Sequence, residues 1–201
     1  MNKTVYATDG NYFLVPLSET EKENYLSISR ENGIGYALSD NERYEELLWS
    51  DSFSKNKRYY SIYDSDEIYC GNIELNRIDT STPEIGIELL KEHRNKGIAG
   101  RVIRLLARKA RLELKSLEYY LLRVSVGNTH SRHMIEKLGA IYIGEEESFA
   151  VKAMKQLKNG IEKEKYETAY DKCSKILEEL LADETNKVLV YKLTSDHYAN
   201  E

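Results

Sequence analysis

Apolar positions change period several times along the chain, and each change predicts an element. Residues 12 to 17, YFLVPL, form a short apolar run that predicts a strand. Ser18 and Thr20 follow as capping residues for a helix to about Glu31, with early acids that suit its dipole. Asp40 is placed to cap a second helix with Tyr44, Leu47 and Leu48 on one stripe. Residues 58 to 64 and 68 to 77 alternate around a short polar stretch and predict an antiparallel hairpin. Residues 84 to 90, EIGIELL, predict a further strand after Pro83.

A helical period then runs from about Lys96 to Ser116, with Ile98, Val102, Leu105, Leu106 and Leu112 as its buried stripe. Arg101, Arg104, Arg108 and Arg111 fall on its wet side. Residues 119 to 126, YYLLRVSV, are almost continuously apolar, as in a central strand with both faces covered. Asn128 and Thr129 open a short helix that Gly139 ends, and residues 140 to 147 predict another strand. Residues 149 to 184 are rich in lysine and glutamate, with Tyr166, Tyr170, Cys173, Leu177 and Leu180 on one helical face. Residues 187 to 194 return to strand character. This order predicts one α/β domain over residues 1–201, a mixed β-sheet sandwiched by helices, with a helical insertion at about 149–184 before the last strand. That insertion needs a cover for its stripe, from the domain itself, from a second subunit or from a partner, and a lid over an acceptor site or a dimer contact is the sharper reading, so both a monomer and a homodimer are open.

Composition narrows the function classes. Among 201 residues, 29 basic against 34 acidic side chains give a net charge of −5, which disfavours gripping nucleic-acid phosphates and leaves a cationic ligand compatible. No run of about eighteen apolar residues occurs, so no membrane span is expected. The opening MNKTVYATDGNYF has no apolar h-region, which predicts a cytoplasmic protein. Cys70 and Cys173 lie far apart and read as reduced thiols.

The chemistry concentrates in EIGIELLKEHRNKGIAGRVI, residues 84 to 103. A strand ends at Leu90, a turn holds Arg94, Asn95 and Lys96, and Gly97 and Gly100 flank the first turn of a helix. Glycines there let backbone N–H groups approach a ligand, and the free amides and dipole of a helix start favour an anion. A phosphate or pyrophosphate fits, as does an ordinary strand–turn–helix link with glycines chosen for packing. Neither the Walker A string nor the dinucleotide fingerprint is present.

The pattern Arg94-x-x-Gly97-x-Ala99 resembles the acetyl-CoA motif of the GNAT superfamily of acetyltransferases. A second block, Asn128, Ser131, Glu136, Lys137, Leu138 and Gly139, resembles that family's N-x-x-S…EKLG segment. The wording is most similar to the ribosomal-protein N-terminal-acetyltransferase-like subgroup. The resemblance implies acetyl-CoA as cosubstrate, its pyrophosphate held by amides from Asn95 through Lys96, Gly97, Ile98 and Ala99 to Gly100. It implies that the backbone of Leu89 and Leu90 pairs with the pantetheine arm, and that the Leu89 amide polarises the thioester carbonyl. Asn128 and Ser131 would touch the pantetheine or the thiol end. Many family members carry a tyrosine seven residues after the asparagine as acid for the leaving thiolate; here that position is Ile135, which leaves Ser131, a water or unaided departure.

For the base, alternation puts Glu84, Gly86 and Glu88 on the opposite face from Ile85, Ile87 and Leu89. A carboxylate on a polar strand face leading into the cofactor turn can take a proton from an ammonium group; solvated surface acids are the plainer alternative. Glu74 on the neighbouring strand is a weaker candidate. His130 and His133 lack a third ligand and make no metal site, and His93 could touch the cofactor or face solvent. Tyr59, Tyr60, Tyr63 and Tyr69 are expected as packing residues, one or two of them in an acceptor pocket. The acceptor implied by the subgroup is a peptide or protein N-terminus. A small amine (a polyamine, an amino acid or an aminoglycoside) and a non-catalytic acyl-CoA-binding module are the alternatives.

Overall fold

The computed structural model describes residues 3–31, 42–160 and 162–194. It divides into two compact units, Met1–Leu122 with Leu193–Glu201, and Arg123–Lys192. The expected cap at Asp40 lies outside the described residues.

In the first unit the strands are β1 (Ala7–Thr8), β2 (Tyr12–Pro16), β3 (Lys57–Asp64), β4 (Tyr69–Asn76), β5 (Glu84–Leu89) and the start of β6 (Tyr120–Ser125). Their order is β1-β2-β3-β4-β5-β6, antiparallel as far as β5 and parallel between β5 and β6. The sheet is therefore mixed, as the alternation of meander and strand–helix–strand patterns predicts.

Strand alternation gives this sheet two unlike faces. One carries Tyr60, Ile62, Ile73, Leu75 and Ile85, all buried. Helix α3 (Ile98–Arg111) belongs to it, with Val102, Ile103, Leu106, Ala107 and Ala110 fully buried. The Tyr120 hydroxyl donates to the Ala107 carbonyl at 2.8 Å. The other face carries Tyr59, Ser61, Asn72, Glu74, Asn76, Glu84 and Glu88. Helix α1 (Lys22–Glu31) meets that face through Tyr25, whose ring stands edge-on to Tyr59 with centroids 5.6 Å apart. Helix α2 (Glu42–Asp51) joins it through Trp49 against Tyr25 and through the Arg30–Glu45 ion pair at 2.6 Å.

Several local expectations change. Ser18 does not cap the first helix; its hydroxyl pairs with Thr20 at 2.9 Å, and a 3-10 turn precedes α1. In α2 the buried residue is Trp49, while Leu47 is 60% exposed, because the indole fills the space beside Tyr25. Helix α3 stops at Arg111, and Leu112, expected in its stripe, is 79% exposed just beyond it.

A buried cluster ties the N-terminal segment down. Glu21 is fully buried, and its carboxylate accepts from Tyr63 at 2.5 Å and from Lys3 at 2.8 Å. Burial alone would raise the Glu21 pKa, but these donors hold it below the ordinary range.

The second unit contains the rest of β6 with β8 (Lys187–Leu193) and β7 (Ile141–Glu147), in the order β6-β8-β7, and β7 is antiparallel to β8. Helix α4 (Thr129–Lys137) follows β6. The expected helical insertion forms two helices, α5 (Phe149–Asn159) and α6 (Glu167–Ala182), packed on each other. Cys173 and Leu177 of the predicted stripe are buried, whereas Tyr166 at its start is exposed. Both cysteines are free thiols.

Candidate active site

The turn after β5 has the backbone that an anion cradle needs. Lys91–His93 make one 3-10 turn, Asn95 is left-handed at φ 59°, and Gly97 is left-handed at φ 76° where α3 begins. No side chain caps that helix start, so its first amides keep their donor capacity. A Cβ on Gly97 would meet nothing within 4 Å, so it would project into the open space beside those amides. Arg94, Asn95 and Lys96 are exposed, Ala99 and Gly100 are half-buried, and Ile98 is buried, leaving only its main chain to act. The groups present fit a diphosphate.

The end of β5 is set by a close approach. A Cβ on Gly71, which has φ 153°, would lie 2.2 Å from the Glu88 carbonyl oxygen. Only glycine lets β5 press this tightly onto β4. The Leu90 amide donates to the Cys70 carbonyl, which fixes the alternation: even-numbered residues of β5 bond toward β4, and the amides of Ile85, Ile87 and Leu89 point away from it. Among the described residues, the parallel pairing to β6 is confined to Glu84↔Leu121. The Leu89 amide therefore lies beyond the paired part of the ladder. Its carbonyl accepts from the Arg94 guanidinium at 3.0 Å, so Arg94 braces the strand end. The Glu31 carboxylate of α1 accepts the Lys91 amide at 2.7 Å, which joins that helix to the start of the turn.

Glu84, Gly86 and Glu88 do share one face, opposite Asn76, Glu74 and Asn72 respectively. Glu88 is exposed to solvent and yet surrounded by protein; burial, then the nearby Glu74 charge, raises its pKa against the opposing pull of Arg94. Glu74 is half-buried, and burial, helped by the charge of Glu84, raises its pKa although Tyr59, Asn76 and Lys57 pull the other way. Burial and a neighbouring carboxylate that raise the pKa of a glutamate are the surroundings in which proton-transfer groups are found. Tyr25 and Tyr59 flank the pair, and burial raises both phenol pKa values first, with the Glu74 charge adding to it.

On the second unit, Asn128 is the N-cap of α4: its side-chain oxygen accepts the Ser131 amide at 3.0 Å. Ile135, at the position where many relatives carry tyrosine, is buried in the core. His130 and His133 are exposed, and among the described residues no three His, Cys, Asp or Glu groups are placed to hold a metal ion. His93 is buried and does not face solvent, with its Nε2 lacking a hydrogen-bond partner.

Pattern reading passed over Gly71, Asn72 and Asn76. A glycine inside a strand signals a close backbone approach, and the alternation Asn72, Glu74, Asn76 in GNIELN marks a polar face.

The comparison with family models settles the class. Residues 12–141 match the Acetyltransferase (GNAT) domain. The chain belongs to the GNAT acetyltransferase family. No curated protein sequence matches it. Among solved structures, GNAT chains share its mixed α/β fold. A spermidine N-acetyltransferase SpeG chimera from Vibrio cholerae and hSSAT has a TM-score of 0.64 at 18% identity, over 95% of this chain and 99% of the other. A structure described as dodecameric spermidine N-acetyltransferase from Vibrio cholerae in an intermediate state has a TM-score of 0.65 at 16% identity, over 96% and 98%. The spermidine/spermine N-acetyltransferase SpeG from Vibrio cholerae in complex with manganese ions has 0.63 at 16%, over 94% and 96%. These relatives are spermidine N-acetyltransferases, not members of the ribosomal-protein subgroup that the motif wording resembles. As a GNAT chain the protein is an acyltransferase, and no described helix is long and apolar enough to cross a membrane.

Proposed function

We propose that the chain transfers the acetyl group of acetyl-CoA to a primary amine of a small cationic acceptor. The observation that carries the acceptor class is the face shared by Glu74, Glu84 and Glu88. Three carboxylates on the strand face that leads to the cofactor turn attract a cation and repel an acidic acceptor. The spermidine N-acetyltransferase neighbours support the same choice, and the small amine therefore replaces a peptide N-terminus as the leading acceptor.

In this reading the amides from Asn95 to Gly100 hold the diphosphate of acetyl-CoA, aided by the charge of Lys96. The backbone of Leu89 and Leu90 lines the pantetheine arm. Glu88, directly or through one water, takes a proton from the acceptor ammonium so that the nitrogen lone pair can attack the thioester carbon. The Leu89 amide donates to the oxygen as it gains charge, the C–S bond breaks, and the sulfur leaves with the electron pair and takes up the second proton that the attacking nitrogen loses as the amide forms. Glu84 is the alternative base on the same face.

The test is release of free thiol from acetyl-CoA with spermidine, a monoamine, an amino acid and a peptide with a free N-terminus. Turnover with spermidine at the highest kcat/KM is expected. Preference for the peptide would overturn the acceptor class, and tight CoA binding with no turnover of any amine would leave an acyl-CoA-binding module.

A further inference from the structure

β4 carries an unusual row of unfilled acceptors. Asn72 Oδ1, Glu74 Oε2 and Asn76 Oδ1 are all buried atoms with no hydrogen-bond partner. They stand two residues apart, so they share one face of the strand, the face that also carries Glu84 and Glu88 on β5. Asn72 is only 6% exposed and sits directly across from Glu88. Buried polar atoms in folded proteins are almost always paired, so three on one strand face ask for a missing partner. Every one of them is an acceptor; Ser61 Oγ, opposite Asn72, is unpartnered too, but its hydroxyl has one proton to give, so the row still calls for a partner that brings donors. An ammonium group brings three donors and no acceptor.

The neighbouring strand is shaped to leave room for this. Gly86 faces Glu74, and the Glu74 carboxylate lies over it. The aromatic rings of Tyr25 and Tyr59, with centroids 5.6 Å apart, stand beside the same carboxylate and offer the faces and edges that a desolvated cation tolerates. Glu74 and Glu88 are diagonal neighbours across the pair, and such positions are roughly 7–8 Å apart between Cα atoms. A short methylene spacer covers that distance.

We propose that Glu74 and Asn76 form a subsite for a second ammonium group of the acceptor, with Glu74 as the residue that sets specificity for acceptors carrying two or more positive charges. The proposal rests on the small-amine reading above and assigns the second charge to a strand that does not hold the base. In it, Glu88 deals with the amine that reacts and Glu74 with the amine that does not.

The experiment compares a diamine with the monoamine of the same carbon chain, in the wild-type protein and in Glu74→Gln. The wild type is expected to prefer the diamine. Glu74→Gln should raise the diamine KM by about tenfold to a hundredfold, the range of a lost charge-assisted hydrogen bond, with a smaller change in kcat. The monoamine KM should move far less, so the preference collapses. CoA binding by calorimetry reports that the variant is folded. An unchanged diamine-to-monoamine ratio in a folded Glu74→Gln protein overturns the subsite. If no amine is acetylated at all, the transfer reading fails instead, and calorimetric titration of the diamine into wild type and Glu74→Gln decides the subsite separately: equal affinity refutes it, and loss in the variant supports it. Should Glu74→Gln fail to fold, Asn76→Ala carries the same ratio test.

Discussion

Glu74 occupies the space that a side chain at Gly86 would fill. A Cβ on Gly86 would lie 2.5 Å from Glu74 Oε1 and 2.9 Å from its Cγ. The two residues are cross-strand partners, so the carboxylate owes its position to the absence of one carbon on the next strand. Gly86→Ala should therefore act as a displacement of Glu74. The colliding atoms are the mobile end of a side chain, and stability is expected to fall by only about 1 kcal/mol. The diamine preference should fall much as in Glu74→Gln. Melting curves and the ratio of kcat/KM values check the two parts.

Gly97 tests the cofactor cradle. At φ 76° a residue with a Cβ is strained by about 1–3 kcal/mol, and its side chain would point into the open space beside the helix amides. Gly97→Val is expected to remain folded with a modestly lower melting temperature and to show no heat on titration with CoA. Heat of wild-type size would show that the diphosphate is held elsewhere.

Glu88 predicts the pH profile. A carboxylate base works only when ionised, so activity should rise with pH along a limb governed by its raised pKa, above the ordinary glutamate value of about 4.3. Burial is the main cause and the charge of Glu74 adds to it, so Glu74→Gln should move that limb to lower pH. Glu88→Gln should remove it and lower kcat by about 10²- to 10⁴-fold. A limb that survives in Glu88→Gln would transfer the role to Glu84.

Acid stability of the second unit follows from Glu146. Its carboxylate accepts from Arg123 at 3.0 Å and from Lys152 at 2.8 Å, and these bonds depress its pKa to about 2. A folded-state pKa below the unfolded one adds stability that is complete above the unfolded value and is lost as pH falls through the folded one. Wild type should lose stability between about pH 4.5 and pH 2 by this route, and Glu146→Gln should flatten that part of the curve. The group is partly solvated, so the effect is modest. Thermal melts across this range, followed by circular dichroism, read it; parallel curves for both proteins would refute the assignment.

Much was legible in the linear chain. Period two in 58–64, 68–77 and 84–90 and the arginine-backed apolar stripe of 98–111 set the strands and the main helix, because backbone geometry repeats with fixed periods. The string from Arg94 to Gly100 placed the left-handed turn and the uncapped helix start, since left-handed backbone and bare amides are local properties of residues a few bonds apart. The ends of elements were less legible: Leu112 and Leu47 fit a helical period but face solvent, because which stripe is covered depends on the neighbours. The acceptor side was beyond local reading. Whether Glu74 is a surface acid or part of a site depends on strand register, which brings it opposite Gly86 and on the face of Glu88, and on Tyr25 arriving from α1. The sequence by itself determined the elements and the glycine turn after β5, whose physics is short-range. Only the tertiary structure decided which buried acceptors go unpaired and which carboxylates repel one another, because burial and register join residues that the chain keeps far apart.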